Sequence, residues 1–138
     1  MATYTAHPHH EARRQRVNLH GEATCRSLDR PDEVRTFPKS KVELVHSGHS
    51  HIGRGTYQPG WKWSESVGPI VHMSSCASMH TGYCLQGRMH LRMDDGTELE
   101  FKAGDAFVIP PGHDAWVVGN EACILIDTTG FGALARPD

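Results

Sequence analysis

The feature that most constrains this chain is a series of short alternating segments, separated by turn residues, in its C-terminal half. Residues 88–93 alternate apolar and charged side chains, and residues 97–102 do the same with Leu99 and Phe101 facing inward. Asp95-Gly96 between them predicts a type I′ hairpin turn. Further short strands are predicted at residues 41–46, 52–58, 79–86, 106–109, 114–118 and 123–127. Short strands at this spacing, with no alternation of strands and helices, predict an all-β sandwich or barrel.

The N-terminal part of the chain carries a different pattern. Residues 1–28 show no hydrophobic period and predict a mobile or draped, partly irregular arm, while residues 29–138 are predicted to form a single domain. Within that domain, residues 29–37 could form one helical turn, and residues 61–64 read as a short extended piece. The glycine, proline and small residues of segment 65–77 predict a loop.

Composition narrows the function classes. The chain has 14 Lys and Arg against 16 Asp and Glu, a net charge of -2, and no long basic stretch, so nucleic acid is not an expected partner. No apolar run approaches the roughly 20 residues of a membrane span, and the polar N-terminus does not resemble a signal peptide. A cytoplasmic protein without membrane contact is therefore expected. The four cysteines form no C-x-x-C pair, and we expect free, mostly buried thiols.

A family resemblance enters at residues 104–113, G-D-A-F-V-I-P-P-G-H. This stretch resembles the second conserved motif of the cupin superfamily, and residues 83–89, Y-C-L-Q-G-R-M, look like the second half of its first motif. The resemblance covers roughly residues 53–127. It implies a cupin double-stranded β-helix, a jelly-roll barrel with one central pocket. Gly104 suits the tight turn between strands, and Pro110-Pro111-Gly112 would stop one strand and redirect the next.

The resemblance also implies a metal held by H-x-H, a later Glu and a final His, and here the sequence departs from the family. Trp61-Lys62-Trp63 stands where H-x-H is usual, and an indole offers only an N–H donor. The Glu position falls on His80. The final His position falls on Ala115, or on His113 if the turn is two residues shorter. His80 and His113 are therefore the predicted catalytic and metal-binding residues.

Other polar residues are weaker candidates. A third metal ligand could come from His72, from Glu65 or from water. Cys84 shares the predicted strand face of His80, but four residues of strand span roughly 13 Å, so one ion cannot bind both. Cys84 is thus a packing residue or a pocket thiol that contacts a cofactor. His49-Ser50-His51 is a minor candidate for a metal pair at a hairpin tip.

Two functions remain open. The first is an enzyme of dioxygenase, isomerase or lyase type, which uses a divalent Fe, Zn, Mn or Ni ion, or His80 alone as a general base, on a small organic molecule. The second is a non-catalytic binding or sensor module that holds a small ligand, or haem as a planar cofactor, against Trp61 and Trp63. Because many cupins pair, a homodimer is expected.

Overall fold

The computed structural model describes residues 23–47 and 50–130, and the described chain consists mainly of short strands. Their bounds are as follows: β1 Glu33–Phe37, β2 Ser40–Ser47, β3 Ser50–Tyr57, β4 His80–Gln86, β5 Arg88–Met93, β6 Glu98–Lys102, β7 Ala106–Ile109, β8 His113–Val117 and β9 Cys123–Asp127. Two single-turn helices, α1 Trp63–Ser66 and α2 Gly68–Val71, interrupt the connection between β3 and β4.

The strands form two antiparallel sheets. The larger sheet has the order β1-β2-β3-β9-β4-β7, and the smaller has the order β6-β5-β8. The C-terminal strand β9 therefore lies between β3 and β4, which joins the two halves of the chain in one sheet. The predicted all-β jelly-roll fold is confirmed.

The core lies between the two sheets. Leu44, Phe107 and Leu125 face inward from the larger sheet, while Met89 and Leu91 face inward from the smaller. Burying each of these side chains contributes roughly 1.5–3 kcal/mol against the cost of ordering the chain. The period-two alternation of β5 predicted this inner face correctly.

Five local predictions were wrong. Residues 68–71 form helix α2 within the segment that was predicted to be a loop. Residues 33–37 form strand β1 instead of a helical turn, because their backbone pairs along β2 from Glu33↔Leu44 to Phe37↔Ser40. Trp63 begins helix α1 instead of continuing an extended segment. The turn after β5 has a positive φ at Gly96 and not at Asp95, so it is not of type I′. Leu99 is 49 % exposed, since the outer strand β6 buries only Phe101.

The ends of the chain are described only in part. Residues 1–22 and His49 lie outside the described residues, so the predicted arm and the His49-Ser50-His51 pair are not tested. Residues 23–27 are exposed and belong to no helix or strand. Within the described ranges, no helix has the length and apolar character needed to cross a membrane.

Candidate functional site

A cavity lies in the core between the two sheets, with apolar walls and one polar corner. Its polar corner is formed by His80, His113 and Asp127, and Trp61 and Trp63 are among the residues of its walls. The cavity volume is about 50 Å³. Because one water needs about 10–15 Å³ measured in this way, the space holds about four waters, or a ligand of a few non-hydrogen atoms.

His80 is positioned by strands β4 and β9. It is the first residue of β4, and Asp127, the last residue of β9, lies beside it, with His80 Nδ1 2.5 Å from Asp127 Oδ2. The other carboxylate oxygen, Oδ1, accepts hydrogen bonds from the backbone N–H groups of Thr129 and Gly130 at 2.8 and 2.9 Å. An ionised carboxylate only accepts, so Nδ1 of His80 carries the proton. The ring orientation is therefore fixed, with Nε2 directed away from Asp127.

The segment after β9 passes very close to His80. A Cβ atom at Gly130 would lie 2.2 Å from His80 Nδ1 and 2.5 Å from the carbonyl oxygen of Met79. Only glycine therefore allows the chain to approach the imidazole and to donate its N–H to Asp127.

His113 is positioned by the turn before β8. Its Nδ1 lies 2.8 Å from the carbonyl oxygen of Pro110. A carbonyl oxygen can only accept, so Nδ1 of His113 is the donor in this contact. The rings of His80 and His113 meet edge to face with centroids 5.3 Å apart.

Cys76 completes the polar corner from the loop between α2 and β4. Its backbone N–H donates to the carbonyl oxygen of His113 at 2.7 Å, and its carbonyl oxygen accepts from Gly112 at 2.7 Å. This short bridge places Cys76 Sγ 3.5 Å from His80 Nε2. The donor atoms of Cys76, His80 and His113 all lie within 4.8 Å of one another, and all three residues are buried.

The acidities of these groups reflect their contacts more than their burial. Burial alone would raise the pKa of Cys76, but hydrogen bonds with His113 and His80 lower that pKa to about 6. Burial would likewise lower the pKa of His80, yet Asp127 and Cys76 raise it to about 9. Burial opposes ionisation of Asp127 as well, and the contact with His80 nevertheless lowers its pKa. His80 thus lies between Cys76 and Asp127, and its contacts with them favour the ionised form of each.

This donor set fits a divalent metal ion. Bonds of about 2.3 Å to sulfur and 2.0 Å to nitrogen at a tetrahedral angle separate the two ligand atoms by about 3.5 Å. That separation matches the 3.5 Å between Cys76 Sγ and His80 Nε2. Asp127 and the carbonyl oxygen of Pro110 hold the second nitrogen of each ring, which is the usual arrangement behind metal-binding histidines.

The structure brings together only some of the predicted site residues. His80 and His113 meet at the corner, and Trp61 and Trp63 line the cavity, as expected. Glu65 and His72 are exposed and lie outside the cluster, because α1 and α2 direct them away from the core. The third donor is instead Cys76.

Cys84 lies apart from the cavity wall. Its thiol is directed at the carbonyl oxygens of Gln86 and Gly87, at 3.4 and 3.7 Å, and Cys84 is not among the residues that line the cavity.

Sequence reasoning missed Cys76 and Asp127. Asp127 carries a readable signal, since it follows Cys123 and Leu125 on the inward positions of β9, where a carboxylate is out of place. Cys76 lies in a loop without periodicity, so only the folded backbone shows which way its thiol points.

Comparison with known proteins gives the family. A family model described as Cupin domain matches residues 53–129. The search of curated proteins found no match. Among solved structures, the cupin domain of Cnp3 from Schizosaccharomyces pombe is similar with a TM-score of 0.52 and 15% identity, over 71% of this chain and 67% of that one. A protein of unknown function from Acinetobacter sp. ADP1 has a TM-score of 0.52 and 11% identity, over 71% and 90%. KdgF from Halomonas sp. has a TM-score of 0.50 and 19% identity, over 77% and 88%.

Proposed function

Because this chain belongs to the cupin family, we propose that it is a zinc-dependent cupin enzyme that acts on a small organic molecule bound in the cavity. The observation that carries the proposal is the cluster of Cys76, His80 and His113, whose donor atoms lie within 4.8 Å of one another. Three protein ligands and a fourth position for water or substrate are typical of catalytic zinc sites.

The donor chemistry favours zinc among the Fe, Zn, Mn and Ni expected from the family. A thiolate with two imidazoles suits zinc, whereas manganese prefers oxygen ligands. Non-haem Fe(II) sites typically use two histidines and a carboxylate. Here the carboxylate of Asp127 contacts the far side of His80 and is not part of the donor cluster.

The positions of the residues separate their roles. His80 and His113 line the cavity, whereas Cys76 is 1 % exposed and is not among the lining residues. A molecule in the cavity therefore meets the imidazoles and not the sulfur, which supports a ligand role for Cys76 over a nucleophilic one. Zinc, when bound, would supply a Lewis acid that polarises an oxygen of the substrate. The apolar walls hold the rest of the molecule and exclude water.

The alternative, a binding or sensor module, would hold its ligand in the same cavity but would not convert it into a product. Its haem variant finds no support, since a macrocycle is much larger than a cavity that holds about four waters.

The state of the cysteine thiols bears on the location of the protein. The described cysteines carry free thiols, and zinc binding needs a reduced Cys76, which supports a cytoplasmic location.

Tyr83, Leu85 and Val108 are 45–61 % exposed on the outer face of the larger sheet. This apolar surface supports the homodimer, and the molecular mass in solution would test it.

Zinc content tests the proposal directly. We expect about one zinc per chain in protein purified without chelator, measured by elemental analysis. His80→Ala and His113→Ala should each remove it. His90→Ala is the matched control, because that imidazole is held on the outer face by Glu98 and Glu100 and should leave zinc unchanged. Protein that takes up no zinc at equimolar supply, or that binds it equally well without His113, would overturn the proposal.

A further inference from the structure

The phenol hydroxyl of Tyr57 is a buried polar group to which the zinc site gives no role. Tyr57 is 5 % exposed, lies on the inner face of β3 and lines the cavity. Its hydroxyl meets no hydrogen-bond partner among the described residues, yet, unlike the indole nitrogens of Trp61 and Trp63, it is not closed off from solvent. The oxygen therefore keeps surface that a small molecule can reach. Buried hydroxyls are usually satisfied, because an unpartnered one costs free energy.

The backbone of β3 determines the direction of this hydroxyl. Gly55 is the preceding residue on the inner face of the strand. A Cβ atom at Gly55 would lie 2.6 and 2.7 Å from Cε2 and Cζ of Tyr57, and closer still to the hydroxyl oxygen. The ring therefore leans back along β3 over Gly55, and the absence of a side chain there makes room for it. The ring also packs on Trp61, with centroids 4.5 Å apart, so packing holds its orientation.

This direction leads toward the polar corner of the cavity. In the register of β3 and β9, Gly55 pairs with Leu125, which also lines the cavity. The Tyr57 hydroxyl beside Gly55 is thus level with Leu125, and Asp127 is the next inward position of β9. Two residues of strand span roughly 7 Å. The hydroxyl and the polar corner are therefore separated by the length of a few atoms.

The electrostatics make the Tyr57 hydroxyl a donor to an uncharged oxygen. Burial raises the pKa of Tyr57 well above its ordinary value, and the carboxylate of Asp127 adds to this effect, so the phenol keeps its proton. A phenol with its proton can donate to an oxygen lone pair. Among the described residues that line the cavity, none is a lysine or an arginine. An anionic group beside the hydroxyl would therefore lose its water without gaining such a partner, and Asp127 would repel it.

We propose that Tyr57 determines which ligand the cavity accepts, by donating a hydrogen bond from its hydroxyl to the uncharged carbonyl or hydroxyl oxygen of a small, otherwise apolar compound. This rests on the proposed binding of a small molecule in the cavity, and it does not depend on zinc. The hydrocarbon side chains of the wall, which include Met89, Leu91 and Phe101, would hold the rest of the compound.

Removal of the hydroxyl alone tests this role. Tyr57→Phe deletes one oxygen and keeps the ring, and Tyr83→Phe makes the same change at an exposed tyrosine as the matched control. Three probes share an ethyl group: 2-butanone offers a neutral oxygen, 2-methyl-1-butene has a methylene group in its place, and propionate has a carboxylate. Each is titrated into the ¹⁵N-labelled full chain, zinc-loaded and chelated, and the affinity is taken from the backbone amide shifts.

The expected effect is specific to one residue and one probe. Tyr57→Phe should bind 2-butanone about tenfold less tightly than the wild type does, which is the effect of one good hydrogen bond. Its affinity for 2-methyl-1-butene should not change, and the wild type should bind propionate more weakly than the ketone. Tyr83→Phe should match the wild type with every probe. The urea midpoint of ligand-free Tyr57→Phe should not fall, because the lost hydroxyl has no partner among the described residues.

A measurement on the wild type keeps the test independent of how the variant folds. The chain has three tyrosines, and labelling each with ¹³C at Cζ gives one signal per phenol. Tyr4→Phe and Tyr83→Phe assign the signals. 2-Butanone should move the signal of Tyr57 several-fold further than 2-methyl-1-butene does, and should leave the signal of Tyr83 in place.

Several results would contradict this role for Tyr57. Equal losses of ketone and alkene affinity in Tyr57→Phe would show an effect of shape, and an unchanged ketone affinity would show that the hydroxyl binds only water. Tighter binding of propionate than of the ketone would indicate an anion site. Absence of binding by all three probes, or a lower urea midpoint for Tyr57→Phe, would also refute the inference. Zinc content measured on the same samples keeps its failure distinct from failure of the zinc proposal.

Discussion

Two groups of buried cysteines in this protein have opposite chemistry. Cys76 is 1 % exposed, and Cys84 and Cys123 are each 0 % exposed, so burial does not distinguish them. Burial raises the pKa of Cys84 and Cys123, whose thiols contact each other. At Cys76 burial acts in the same direction, but hydrogen bonds with two imidazoles reverse it and lower the pKa to about 6.

The comparison teaches that the neighbours of a buried thiol decide whether it packs or binds. Cys84 and Cys123 lie within the larger sheet, on β4 and β9, where they act as small apolar side chains. Cys76 lies in a loop held against the turn before β8, beside His80 and His113. We expect this difference to appear in zinc affinity, in stability and in the pH dependence of stability.

The largest difference is expected in zinc affinity. Cys76→Ser removes the thiolate ligand and should weaken zinc binding by about 100-fold or more, measured by competition with a chromogenic chelator. Cys84→Ser is the matched control and should bind zinc as the wild type does, because its hydroxyl can still donate to the carbonyl oxygens of Gln86 or Gly87. Equal loss in both variants would mean that the two groups of cysteines do not differ in function.

The next effect concerns the carboxylate behind His80. Asp127→Asn keeps the shape but removes the charge that holds the imidazole, so zinc affinity should fall by about 10–100-fold. The zinc-free variant should also lose about 3 kcal/mol of unfolding free energy, since a buried ion pair is broken. Urea unfolding and the same chelator competition would measure both changes. Asp114→Asn is the control: that carboxylate binds Ser64 outside the donor cluster and should leave zinc affinity unchanged.

The pH dependence of stability tests the coupling between Cys76 and His80 in zinc-free protein. His80, with its pKa raised from 6.5 to about 9, contributes stability that is complete below pH 6.5 and is lost as the pH rises to 9. Cys76, with its pKa lowered from 9 to about 6, contributes stability that is complete above pH 9 and is lost as the pH falls to 6. The two slopes oppose each other, so these residues should leave the wild type with little pH dependence between pH 6.5 and 9.

Removal of one partner should expose the slope of the other. Cys76→Ser should lose unfolding free energy as the pH rises through this range, by at most about 1.4 kcal/mol per pH unit. Urea midpoints at three pH values would show it, with Cys84→Ser as the control that stays parallel to the wild type. A flat profile for Cys76→Ser would mean that His80 is not protonated in the folded protein.

The smallest effect is expected at the packing cysteines. Cys123→Ala should cost about 1 kcal/mol of unfolding free energy, because it removes one buried sulfur atom and leaves a small void. The loss should be the same in zinc-free and zinc-loaded protein, and the zinc content should not change. A loss of zinc in this variant would place the Cys84 and Cys123 pair within the functional site.

The sequence predicted well those parts of the structure that depend on local patterns, and less well those that depend on contacts between distant segments. Alternation in β5 reports which side of the strand is buried, and that pattern survives folding because neighbouring strands must hide the same face. The helical turn predicted within residues 29–37 was wrong, because residues 33–37 form a strand by pairing with β2. Local propensity does not report that pairing. Glu65 and His72 lie outside the donor cluster, since Glu65 is exposed on α1 and His72 is exposed directly after α2.

The β class and the jelly-roll fold could be read from the sequence alone, and the sequence also predicted the histidines at positions 80 and 113 as site residues. These follow from strand periodicity, turn residues and a family motif, all of which are local along the chain. Only the tertiary structure decided that Cys76 joins them and that Asp127 lies behind His80. Those contacts cross from a loop to a turn, and from the start of β4 to the end of β9. Such contacts depend on how the backbone closes in space, which no local pattern of residues encodes.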